Sequence, residues 1–236
     1  MRSIILAVLA VLLLGAGLFF ISGCSDGASS KSVAAVGYIY SADAVTAAKF
    51  KSLLETNGIL TDLIPLSSLS NTDLSTFKLL VMADDTATEI HHWLGTADQA
   101  QQIKASAKPL IAVGNGTTLF DTTPFQLEIG YFESMLDTGT ATLVSDPAYF
   151  TGITGAGTAG ASVTVLTTSA YAVAAYGAHL TAASHTIGVD AVTSGYYPVC
   201  RQGIYATWGF ITTPDKLTND GKKLLVNLAN ALINPT

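Results

Sequence analysis

The stretch Pro109-Leu110-Ile111-Ala112-Val113-Gly114-Asn115-Gly116-Thr117-Thr118-Leu119-Phe120 constrains this chain more than any other. Four apolar residues lie between a proline and a glycine, too few for a buried helix. They read as a short strand covered on both faces. The Gly-bracketed turn that follows opens a second apolar segment with helical character. A strand covered on both faces requires crossover helices, and so a parallel sheet. In many α/β enzymes such a strand-to-helix corner lifts a nucleophile above the sheet. Here the tip carries Gly114 and Asn115, with neither Cys nor Ser.

Three further apolar runs precede the corner. Val33 to Tyr40, Ile59 to Leu66 and Phe77 to Ala83 are rich in β-branched and aliphatic residues and read as buried strands. Between the first two, Ala44 to Thr56 repeats apolar residues at helical spacing. Ser41-Ala42-Asp43 supplies its capping chemistry and Asn57-Gly58 its stop. Ala97 to Ala107 reads as a helix stopped by Lys108-Pro109. Strands alternating with helices predict a doubly wound, mostly parallel α/β sheet flanked by helices.

Beyond Phe120 the pattern changes. From about Gln126 to Gly195 the chain is rich in Thr, Ala, Gly and Ser. Short alternating runs occur at Thr140 to Val144, Ser162 to Thr167, Tyr171 to Tyr176 and His185 to Val192. They predict additional antiparallel strands in the C-terminal half. Gly203 to Trp208 reads as one more core strand. Leu217 to Ile233 reads as a helix with Thr218 as its cap and Leu224, Leu225, Leu228 and Leu232 as its apolar stripe.

The N-terminus carries an address. Arg2 precedes the uncharged apolar run Ile4 to Ile21 and the small residues Ser22-Gly23, which describes a secretory signal over residues 1–23. Ile21-Ser22-Gly23-Cys24 resembles the bacterial lipobox. That resemblance implies lipidation at Cys24, cleavage before it and stable membrane anchoring through more than one acyl chain. It also implies, from Ser25, the outer membrane in an organism that has one. An uncleaved anchor is the alternative, since 18 apolar residues just span a bilayer. Residues 24–32 then form a flexible tether and residues 33–236 a single domain. Cys24 and Cys200 are the two cysteines; with Cys24 lipidated no internal disulfide is available, and Cys200 reads as a small buried hydrophobe.

Charged residues make up 12% of the chain against about 25% in typical soluble domains. Without Arg2, ten basic face seventeen acidic residues, a net charge of −7. No cluster of Lys and Arg offers the footprint that nucleic acids require, so a nucleic-acid partner is excluded.

The corner resembles the nucleophile segment of class I glutamine amidotransferase-like domains: Pro, apolar residues, Gly-Ile-Cys-aromatic-Gly, then an apolar helix. Ala112 stands at the first Gly of that pattern, Gly114 at the nucleophilic Cys, and Gly116 keeps the following Gly. Ile204-Tyr205-Ala206-Thr207-Trp208-Gly209-Phe210 is similar to the strand that carries the family's His and Glu. Trp208, Gly209 and Phe210 occupy that region, and none can act as a base. The resemblance implies a flavodoxin-like α/β fold with a degenerate triad. Thioester chemistry needs a thiolate beside an oriented base, so no catalytic residue and no cofactor is expected.

Ligands of open parallel sheets sit beyond the carboxyl ends of the strands. Three segments should meet there: Tyr40-Ser41, Asp84-Asp85-Thr86 and Gly114-Asn115-Gly116-Thr117, with His91, His92 and Trp93 just beyond Asp85. The paired Asp suit capping; adjacent histidines lack the spacing of two metal ligands on one helix face, and no metal is expected. The two glycines suit either anion binding through free N–H groups or close strand–helix packing. His179 and His185 are read as structural, without a carboxylate partner. The expected function is a membrane-anchored binding or assembly module contacting envelope proteins or glycans. The alternative is a divergent cell-envelope or carbohydrate-directed hydrolase using Asp84, Asp85 and His91 or His92.

Overall fold

Each of the four apolar runs folds as a short strand whose side chains alternate between two hydrophobic layers. A computed structural model describes residues 34–88, 92–130 and 132–235, of which 132–135 by backbone alone. The signal, Cys24, the tether and His91 lie outside the described residues. Val33–Thr236 forms one compact unit.

The chain runs β1 (Val36–Tyr40), α1 (Ala44–Thr56), β2 (Thr61–Pro65), β3 (Leu79–Met82), a hairpin of β4 (Ala87–Thr88) and β5 (His92–Trp93), α2 (Ala97–Ala105), β6 (Leu110–Val113) and the short α3 (Thr118–Asp121). Seven further strands follow: β7 (Phe132–Thr138), β8 (Ala141–Val144), β9 (Ser162–Thr164), β10 (Ala170–Tyr176), β11 (Ser184–Asp190), β12 (Tyr196–Tyr197) and β13 (Val199–Gln202). β14 (Tyr205–Trp208) and α4 (Asn219–Ile233) end the fold.

Nine strands form one sheet in the order β2-β1-β3-β6-β14-β13-β11-β8-β9. The first five are parallel to their neighbours, and every pairing from β14 to β9 is antiparallel. The chain is therefore α/β with a parallel half and an antiparallel extension. A separate sheet joins β12, β10 and β7.

Burial follows the pleat. Val36, Tyr38, Leu79, Val81, Ile111, Val113, Ala206 and Trp208 face one layer, with Phe50 and Leu54 of α1 and Leu224, Leu225, Leu228 and Leu232 of α4. Ile39, Leu80, Met82, Leu110 and Ala112 face the other, with Ala100 and Ile103 of α2 and Leu119 and Phe120 of α3. Both faces being covered explains why these strands are apolar throughout rather than alternating. Burying each Val, Leu, Ile, Phe or Met side chain among them is worth about 1.5–3 kcal/mol.

The helices carry their own stop and start signals. Asp43 accepts the Thr46 N–H at 2.9 Å at the head of α1. Thr96 and Gln99 close a reciprocal capping box at α2. Thr218 caps α4 through the Gly221 N–H at 2.9 Å. α2 ends at Ala105, two residues before the proline signal placed it, because Ala107 takes a left-handed φ of 52°.

β7 and β13 are elements that the sequence pattern did not announce. β7 carries acidic residues at Glu133 and Asp137, and β13 ends in Arg201 and Gln202, so neither shows an apolar run. β13 is held from both sides, by β11 and β14. Cys200 sits fully buried within it, its Sγ 3.1 Å from Thr207 Oγ1. Burial pushes that thiol up to about 12.

Candidate functional site

The three expected segments meet beyond the carboxyl ends of β1, β3 and β6. β1 connects to β2 on one side and lies beside β3 on the other. Adjacent loops therefore diverge there, as they do where open α/β sheets bind ligands.

Asp85 ties the first two segments together. Its carboxylate accepts the N–H groups of Ser41 at 3.1 Å, Ala42 at 2.7 Å and Asp43 at 2.6 Å. These are the donors of the β1–α1 loop, so Asp85 is an interloop clamp, the capping role that paired Asp suit. Asp84 ties in the third segment: its Oδ1 accepts the Asn115 N–H at 2.7 Å. Burial pushes the Asp84 carboxyl above its ordinary range; the Asn115 N–H opposes this, and the Asp85 and Asp43 charges reinforce it.

The corner itself is closed. Gly114 takes φ 49°, and a Cβ there would collide with Asp84 Oδ1. A Cβ on Gly116 would lie 2.5 Å from the Ala83 carbonyl. Both glycines thus serve close packing, and the Asn115 amide already holds an anion from within the chain. Thr86 and Thr117 are buried and donate to the carbonyls of Ala83 and Gly114, both at 2.6 Å. Where the family's His and Glu would stand, Trp208 and Phe210 are buried and pack edge to face, ring centroids 5.1 Å apart. Gly209 is wedged against the Val173 carbonyl.

Beside the clamp lies a cavity of about 190 Å³. Tyr38, Asp84 and Asp85 line it from the strands, Asp43, Thr46, Ala47 and Phe50 from α1, and Ile211 to Thr213 from the segment after β14. Tyr38 stacks on Phe50 with ring centroids 5.3 Å apart. Its hydroxyl is buried and without a hydrogen-bond partner among the described residues. Burial, then the charges of Asp85, Asp84 and Asp43, push its ionisation well up. Tyr38 escaped the sequence reading because it sits inside an apolar run; Thr212 and Thr213 escaped because no motif marks them, although they follow the end of a core strand.

His92 and Trp93 do not line this cavity. They form the outer strand of the β4–β5 hairpin, with His92 exposed and Trp93 Nε1 donating to the Thr96 carbonyl at 3.4 Å. The lone-histidine reading of His185 is corrected: its Nε2 pairs with Asp146 Oδ2 at 2.7 Å, beside Arg201, which lies 5.9 Å over the Tyr149 ring. That pairing spans 39 residues and could not be seen along the chain. No cluster of three or more His, Cys, Asp or Glu placed to hold a metal occurs among the described residues.

Neither a protein family nor a curated protein sequence matches the chain. Solved structures do match its fold. A Thermoplasma acidophilum protein, assigned to GMP synthase as one of its subunits, aligns over 84% of this chain and 93% of its own, with a TM-score of 0.57 and 13% identity. The carbohydrate deacetylase Agd3 aligns over 83% of this chain but only 32% of its own, with a TM-score of 0.54 and 15% identity. The protein SMU.1228c aligns over 84% and 99%, with a TM-score of 0.51 and 9% identity. At these identities the likeness speaks to fold alone: the domain shares the α/β architecture of these structures.

Proposed function

We propose that this chain is a lipid-anchored envelope protein whose amidotransferase-like domain binds a ligand or partner without turning it over. The observation that carries the reading is the bond from the Asn115 N–H to Asp84 Oδ1. In nucleophile-elbow chemistry, the amide after the nucleophile stabilises the oxyanion. Here a carboxylate of the same chain occupies that donor, and Gly114 leaves no attacking group beside it. Both halves of acyl transfer are missing at one corner.

The test is direct. Full-length protein incubated with glutamine should release no ammonia above buffer, and released ammonia would overturn the reading. Anchoring is checked by metabolic labelling with an alkynyl fatty acid. Wild type should be labelled and Cys24→Ala unlabelled; an unlabelled wild type removes the anchor from the proposal.

The second reading is a divergent hydrolase acting on envelope or carbohydrate material. It draws on the partly buried Asp84 carboxyl, raised above its ordinary range, and on the fold match to a carbohydrate deacetylase. It predicts that Asp84→Asn abolishes a turnover on envelope glycans while the protein stays folded.

A further inference from the structure

We propose that the cavity between β1, α1 and the Ile211–Thr213 segment binds a primary ammonium group carried on an unbranched aliphatic stem. The inference rests on the binding reading above and names the chemistry of its ligand.

Four observations converge. Three carboxylates, Asp43, Asp84 and Asp85, line the cavity, and no cationic side chain does. Lys49, three residues along α1 from Thr46, is turned to Asp215 at 3.0 Å instead. The Tyr38 hydroxyl is buried and lacks any partner among the described residues, which is rare for a buried polar group and marks a missing one. Asp84, whose Oδ1 accepts the Asn115 N–H, brings a partly buried carboxylate to the same cavity.

A group that answers both the Tyr38 hydroxyl and the carboxylates lining the cavity with it must offer several donors. An ammonium offers three and carries the charge that three carboxylates favour. The opposite wall is apolar, formed by Phe50, Ala47 and Ile211. That wall suits methylenes rather than the hydroxyl-studded ring of a sugar. At about 190 Å³ the space falls below the 300–1,000 Å³ of drug-sized sites. It therefore takes a head group and a short stem. A metal ion is disfavoured because all the Asp85 hydrogen bonds and one Asp84 oxygen already serve backbone N–H groups.

The experiment titrates n-propylammonium into full-length protein in detergent micelles at pH 7, followed by NMR of residues around Tyr38. Saturable shifts are expected with propylammonium and none with 1-propanol or potassium ions. Tyr38→Phe and Asp84→Asn should each weaken binding at least tenfold. Tyr38→Phe removes only an unpartnered oxygen, so it remains informative if Asp84→Asn fails to fold. Nα-acetyl-lysine amide separates a peptide side chain from a free amine as the source, and binding of either supports the proposal. Equal shifts with propanol, wild-type affinity in Tyr38→Phe, or tighter binding of glucosamine than of propylammonium would each overturn it. Ammonia release from glutamine would instead remove the non-catalytic reading and leave an observed ammonium site standing.

Discussion

Two regions of this protein join carboxylates to distant partners, and they do so in opposite ways. At the end of the parallel half, Asp84 and Asp85 are held by backbone N–H groups from loops 31 to 44 residues away. In the antiparallel half, Asp146 meets His185 side chain to side chain, with the imidazole about half exposed. Backbone donors are placed by the fold itself and need no side-chain ordering. A half-exposed pair loses side-chain entropy and is screened by water and salt. The first region is architecture; the second decorates a surface.

The largest effect expected is at the corner. Gly114→Cys introduces the thiol that a nucleophile would need, in a left-handed conformation and against Asp84. Strain and overlap together should cost about 3 kcal/mol or more in urea unfolding, and the variant should still release no ammonia. A stable, glutamine-hydrolysing Gly114→Cys would break the comparison, because the corner would then not be closed by Asp84. Next, Asp85→Ala leaves three loop N–H groups without their acceptor and should cost about 2 kcal/mol. A loss near zero would place Asp85 with the surface pair.

Tyr38→Phe runs the other way. Removing a buried hydroxyl that lacks a partner should stabilise the ligand-free protein by about 1 kcal/mol, visible as a higher Tm. Asp84 sets a pH signature. Its folded carboxyl titrates above its ordinary 3.8, so the native state binds more protons than the unfolded chain as pH rises through that range. Wild type should therefore lose stability from about pH 4 upward relative to Asp84→Asn, with the difference levelling once the native carboxyl has ionised. The smallest effect belongs to His185→Gln, at most about 0.5 kcal/mol in urea unfolding. A larger loss would move Asp146 and His185 into the architectural class.

How far the sequence reached follows the same divide. Leu110–Val113 and Ala44–Thr56 are read to the residue because apolar runs, caps and glycine stops all agree there. β7 and β13 are invisible because their pairing comes from strands far along the chain, and their polar residues blur the period. For the site, topology foretold that three loops would converge. It could not foretell which Asp oxygen meets which amide, since adjacent acids look alike in sequence. Tyr38 was hidden for a related reason: within an apolar strand, only packing against Phe50 and the lack of a partner set it apart.

Cys200 adds a last consequence. With its sulfur enclosed between β13 and β14 and its proton tightly held, a maleimide in solution meets no thiolate in the folded protein. Labelling of Cys200 requires the middle of the nine-stranded sheet to part, and no other described residue offers a free thiol. The chain thus carries an internal stopwatch: the pace at which it takes up label counts how often its central strands come apart, with no denaturant added.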